Sequence, residues 1–157
     1  MAKLRLESEW KLWAGVAAVV VLIVGYLYLA SRPPMEGGEY LWNVTKIADG
    51  TTLSLKGSGS VIQFQLVGLI VPKTEEKALQ DFLTNTLMNQ WVRIKILREG
   101  PQGTKEGFVY LSGDDIIARI VRQGLAKINR DETAFDVRPY IELEQEAKKQ
   151  KKGLWSE

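Results

Sequence analysis

Residues 43–73 read NVTKIADGTTLSLKGSGSVIQFQLVGLIVPK, and this stretch decides the fold. Leu53 and Leu55 alternate with Thr52, Ser54 and Lys56, while Ile62, Phe64 and Leu66 alternate with Gln63 and Gln65. A period of two puts the apolar set on one face of a sheet and the polar set on the other. Asp49-Gly50 is a hairpin turn signal, and Gly57-Ser58-Gly59-Ser60 is a second, looser one. The polar face carries Thr, Ser, Gln and Lys and almost no carboxylate, which restricts the chemistry its walls can perform.

Toward the N-terminus, Leu12 to Ala30 is a run of 19 residues without a charge. At the helical rise it spans roughly 28 Å, close to the ~30 Å hydrocarbon core of a bilayer. Trp10 and Trp13 flank one end and Tyr26 and Tyr28 the other, as interfacial aromatics do. A cleaved signal peptide fits less well: cleavage after Ala30 places bulky Tyr28 where a small residue is preferred. The domain layout is therefore 1–11 on the cytoplasmic side, 12–30 as a single transmembrane helix, 31–39 as a tether and 40–157 as the globular domain. Lys3, Arg5 and Lys11 precede the apolar run and only Arg32 follows closely, so the positive-inside rule sends the C-terminal domain to the opposite, extracytoplasmic side. Pro33-Pro34 ends the helix, and the eight residues Ser31 to Gly38 reach at most roughly 27 Å.

Toward the C-terminus the periodicity predicts strands over 40–47, 52–56, 61–67, 91–98 and 107–111. In the fourth, Val92, Ile94 and Ile96 face inward against Arg93 and Lys95. Thr74 reads as a helix N-cap before Glu75 and Glu76, with Leu79, Phe82, Leu83 and Leu87 as the inward stripe. Asp114-Asp115 starts a second helix over 116–123, closed by Gly124. A third runs over 140–152 with Ile141, Leu143 and Ala147 facing in. The expected fold class is α+β, mainly β: a five-stranded OB-type Greek-key barrel with three helices, preceded by the transmembrane helix.

Composition removes whole classes of activity. The chain has no Cys and no His. Disulfides, thiolate or imidazole metal sites, Cys nucleophiles and Ser-His triads are impossible. From Pro33 onward there are 17 Lys/Arg and 17 Asp/Glu, so the domain has no net positive field for phosphate backbones.

Several phrases are specific in combination. Asp49-Gly50-Thr51-Thr52, Gly68-Leu69-Ile70-Val71-Pro72-Lys73, Val121-Arg122-Gln123-Gly124-Leu125-Ala126 and Ala147-Lys148-Lys149-Gln150-Lys151-Lys152-Gly153-Leu154-Trp155 occur in this order. With them the chain from about Tyr40 to Glu157 resembles the staphylococcal nuclease (thermonuclease) family. The resemblance implies calcium-assisted phosphodiester cleavage, with two metal carboxylates, a Glu near the attacking water and two Arg on the phosphate. This sequence departs at each place. Thr51 and Ile70 stand at the metal Asp positions, Gln65 at the first Arg and Lys73 at the Glu. The second Arg is expected within residues 104–107, which read TKEG. Only Asp49 keeps the acidic pattern, and Asp-Gly turn chemistry accounts for it. Glu75, Glu76, Asp114 and Asp115 read as helix-end residues rather than substitute ligands.

The reading at this level is a membrane-anchored nuclease-like domain that has lost its catalytic residues. It has no cofactor or metal, and it binds another protein or a membrane complex as an assembly module. The alternatives are an anchored phosphodiesterase with a rebuilt or weak site, and a nucleic-acid tether. Lys148, Lys149, Lys151 and Lys152 form a candidate binding patch, although Glu142, Glu144 and Glu146 turn that helix into a dipole. Protein extracted from membranes should have the intact mass of a chain that retains residues 12–30; a species beginning at Ser31 would refute the anchor.

Overall fold

The computed structural model describes residues 41–156, so the expected anchor at 12–30 and the tether lie outside the described residues. Among the described residues no helix is long and apolar enough to cross a membrane. The elements are β1 (Leu41–Ile47), β2 (Thr52–Gly57), β3 (Ser60–Leu66), β4 (Leu69–Ile70), α1 (Glu76–Leu87), β5 (Trp91–Glu99), β6 (Lys105–Leu111), β7 (Asp114–Asp115), α2 (Ile116–Arg122), β8 (Lys127–Ile128) and α3 (Arg138–Lys149). Strands β1, β2 and β3 form an antiparallel meander, β1 also pairs with β5, and β5 pairs with β6. A short parallel pairing of Phe64, Gln65 and Leu66 with Lys105, Glu106 and Gly107 closes these five strands into a barrel. The closed five-stranded barrel with three helices is the OB-type arrangement that the alternation predicts.

Local chemistry explains the turns. Ser58 and Gly59 have φ of 48° and 80° between the register pair Gly57 and Ser60, the two-residue turn whose twist matches that of the flanking strands. The barrel interior is filled by Val44, Leu53, Leu55, Phe64, Val92 and Val109, each fully buried. Leu79, Leu83 and Leu87 of α1 pack against this core, as do Ile116, Ile117, Ile120 and Val121 of α2.

Four expectations need correction. Thr74 does not cap α1: the Glu75 N–H donates to the Pro72 carbonyl (2.9 Å), so a turn precedes the helix and Glu75 is its N-cap residue. Ile96 is not inward. The β5–β6 register shifts between Ile96 and Arg98, which leaves Ile96 exposed while Leu97 packs on the core. Strand β6 starts at Lys105 rather than 107, because Lys105 and Glu106 pair on both sides, with β5 and with β3. The third helix runs from Arg138 to Lys149, and its buried residues are Glu144 and Ala147, whereas Ile141 and Leu143 are half-buried. Glu144 is buried because it is fully occupied: it accepts from the Ile128 N–H (3.0 Å), Lys148 Nζ (2.9 Å) and Arg130 (3.4 Å). Burial opposes its charge, but Lys148 and the Ile128 N–H outweigh burial and hold its carboxyl below the ordinary value.

Two outcomes follow from this packing. A Cβ on Gly107 would lie 1.9 Å from the Lys95 carbonyl oxygen, backbone that has no rotamer to yield. Gly107→Ala should destabilise by at least ~1–3 kcal/mol in a denaturant melt, and a value near zero would mean that β6 does not approach β5 this closely. Because the folded pKa of Glu144 is depressed, its contribution is present above the ordinary Glu value of about 4.3 and is lost as pH falls through the folded value. Glu144→Gln should therefore lower stability at neutral pH by roughly 1–3 kcal/mol and flatten the acid limb of the stability profile.

Candidate functional site

The β1–β2 turn presents Asp49, whose Oδ1 accepts from the Thr51 N–H (2.8 Å), the Thr52 N–H (2.7 Å) and the Thr51 hydroxyl (3.3 Å). Burial would raise this carboxyl, but the two N–H groups and the hydroxyls prevail and hold it below its ordinary value. The carboxylate therefore serves its own turn. The Thr51 carbonyl accepts from the Leu66 N–H (2.9 Å), which ties the turn to the end of β3. Gln65 lies between Thr52 on β2 and Glu106 on β6, its register partners on either side.

Glu106 is the residue that sequence reasoning missed within the TKEG segment. It accepts from Arg98 Nε, and the same guanidinium makes a two-pronged contact with Glu132, from Nη1 to Oε1 at 2.8 Å and from Nη2 to Oε2 at 3.0 Å. Glu132 Oε1 also accepts from the Thr133 N–H (3.0 Å) and the Ala134 N–H (2.9 Å). Both carboxylates are well covered, at 14% and 6% side-chain exposure. Arg98 is the chief reason that the Glu132 carboxyl sits below its ordinary value, and the two carboxylates in turn raise Arg98. The bulge before Arg98 aligns it opposite Glu106, so one side chain latches the 129–134 loop to the barrel. No local sequence signal marks this triad: its members lie 8 and 34 residues apart.

The remaining positions spread out. Ile70 of β4 pairs with Lys127 of β8 and is half-exposed, and Lys73 is exposed beyond Pro72. An open cleft of about 510 Å³ is lined by Asp49, Thr51 and Val71 together with Glu76, Lys77 and Gln80 of α1. Gln65, Ile70 and Lys73 do not line it. A calcium ion does not fit these residues. It asks for about 6–8 oxygen ligands, and among the described residues no three carboxylates converge on a point that would hold one.

The lysine patch is divided as well. Lys148 is taken by Glu144 and stacks over the Trp155 ring at 4.3 Å, and Lys127 covers the same ring at 5.3 Å. Lys149, Lys151 and Lys152 remain exposed. Gly124, in the left-handed region at φ +70°, lets the C-terminal turn close in: a Cβ there would lie 2.3 Å from the Lys152 carbonyl oxygen. The Leu154 N–H donates to the Gly124 carbonyl at 2.9 Å, so the ends of α2 and α3 are joined.

Comparison with known proteins agrees with this architecture. A thermonuclease of Staphylococcus hyicus is 25% identical over 158 residues, covering 90% of this chain and 93% of that protein. An uncharacterized endonuclease of Escherichia coli O157:H7 is 25% identical over 118 residues, covering 73% of this chain and 76% of that protein. The family described as staphylococcal nuclease homologue matches residues 65–157, which include most of the barrel closure, the Arg98 latch and the joined helix ends. On that match the chain belongs to the staphylococcal nuclease homologue family.

Proposed function

We propose that this chain is a membrane-anchored, catalytically inactive nuclease-like domain that serves as a protein-binding or assembly module, an accessory part of a larger membrane complex. The observation that carries the reading is the Arg98 latch. In the segment where the resemblance expects a phosphate-binding arginine, Glu106 stands opposite Gln65, and the nearby guanidinium is already committed to Glu106 and Glu132. A phosphate entering there would meet two carboxylates sharing one cation. Elsewhere in the family site, Thr51, Ile70 and Lys73 supply no metal carboxylate and no carboxylate base.

Magnitudes support inactivity over weak activity. One oxyanion-type donor is worth roughly 2.7–4 kcal/mol of barrier, and here both arginine positions, both metal positions and the base are replaced together. Half-exposed Ile70 supports a binding role: an apolar side chain at the site gains nothing from solvent and gains from a covering partner, at ~25 cal/mol per Å². The two similar proteins carry nuclease names, and what passes from them to this chain in this reading is the scaffold, with its chemistry removed.

The full chain, purified in detergent, should show no calcium-dependent cleavage of single-stranded DNA. Arg98→Ala separates a latch from a rebuilt enzyme: it should lower the melting temperature and leave cleavage at background. Chelator-sensitive turnover by the unmodified chain would establish the phosphodiesterase instead. Salt-sensitive retention of the oligonucleotide without cleavage would point to the nucleic-acid tether.

A further inference from the structure

One face of the barrel sheet is built against the usual rule for solvent. Val61 on β3, Lys56 on β2, Asn43 on β1 and Trp91 on β5 are successive register partners, so their side chains share one row on the outer face. At the usual strand spacing the row is roughly 14 Å long. Val61 is 61% exposed and Trp91 59% exposed. Leu41, two residues before Asn43 on the same face and opposite Arg93, is 52% exposed. Lys56 and Lys95 are exposed beside them, and none of these residues carries a carboxylate. The inward residues of the same strands, Val44, Leu55 and Val92, are fully buried, so this apolar set lies outside the core rather than belonging to it.

Large apolar side chains, a tryptophan and flanking lysines on one sheet face have the composition of a bilayer interface. Tryptophan seats its ring at headgroup depth, and lysines meet anionic headgroups. The location fits as well. Leu41 is the first described residue, and only residues 31–40 separate it from the uncharged run 12–30, a stretch that reaches at most roughly 40 Å. We infer that the outer face of β3-β2-β1-β5 lies on the membrane surface, with Trp91, Val61 and Leu41 in the interfacial layer and Lys56 and Lys95 against anionic headgroups. This inference rests on the reading of residues 12–30 as an anchor.

The absence of cysteine makes the test clean, because any introduced thiol is the only one in the chain. The full chain carrying Val61→Cys, or Asn85→Cys on exposed α1 as control, is spin-labelled and reconstituted into phosphatidylcholine–phosphatidylglycerol vesicles. The label at 61 should lose collisions with a water-soluble nickel relaxant and gain collisions with oxygen, while the label at 85 should not change. Lys56→Glu with Lys95→Glu should weaken that protection, by roughly fivefold for each lysine removed. Carbonate extraction reads the anchor separately. A chain that resists carbonate but keeps the label at 61 in water overturns the docked face and leaves the anchor intact. Release by carbonate overturns the anchor and this inference together. Protection that persists in detergent and grows with protein concentration assigns the face to a second copy of the chain and also overturns the inference.

Discussion

The parallel contact between the end of β3 and the start of β6 is the constraint on which the rest of the structure depends. It is only three register pairs long, Phe64 with Lys105, Gln65 with Glu106 and Leu66 with Gly107, yet it converts an open meander into a closed barrel. Closure removes the free edges of the outer strands and fixes the volume that Leu53, Leu55, Phe64 and the α1 leucines fill. At Gly107 the same strand, β6, also approaches β5, and there the Lys95 carbonyl leaves no space for a side chain. One glycine and one short ladder therefore set where Gln65 and Glu106 stand.

The same contact sets the electrostatics of the site. Because Gln65 and Glu106 are register partners, a neutral amide and a carboxylate face each other across the closure, and Arg98 arrives from β5 to balance the carboxylate. A bidentate guanidinium pair with a well-covered carboxylate is a strong and directional contact. Here it ties the 129–134 loop to the barrel, a structural use of positive charge. On the segment just before that loop Glu144 plays a parallel part. A buried carboxylate collects the Ile128 N–H, Lys148 and Arg130, and so seats α3 against β8. In both places an ion is retained under cover because each of its oxygens has a donor.

Around the C-terminus the packing is made by backbone and aromatics rather than by a large apolar core. Gly124 admits the Lys152 carbonyl, and the Lys127 and Lys148 ammonium groups both lie over the Trp155 ring. Phe135 stands edge-on to Phe108 and Tyr140, with ring centroids 4.9 and 5.5 Å away, and covers the outer side of β6. That side of the sheet is thus closed by the chain itself. Among the described residues the outer side of β1 and β2 has no such cover, and the large apolar residues of the row through Asn43 are left exposed there.

The barrel was legible in the sequence because strand alternation is local: Leu53, Leu55, Ile62, Phe64 and Leu66 declare their face within a few residues of one another. Turn and cap chemistry was equally local, as at Ser58-Gly59 and at Asp115, whose carboxylate accepts from the Ile117 and Ala118 N–H groups. The family phrases were legible for the same reason, and the family match over residues 65–157 agrees with them. What only the tertiary structure decided was who meets whom across the barrel. The bulge that exposes Ile96 and packs half-buried Leu97 on the core, the Arg98–Glu106–Glu132 latch, the buried Glu144 and the outer row from Val61 to Trp91 all depend on register between distant segments. Register is a collective property of closure, set when the strands find one mutual alignment that buries every inward residue, and no single window of sequence contains it.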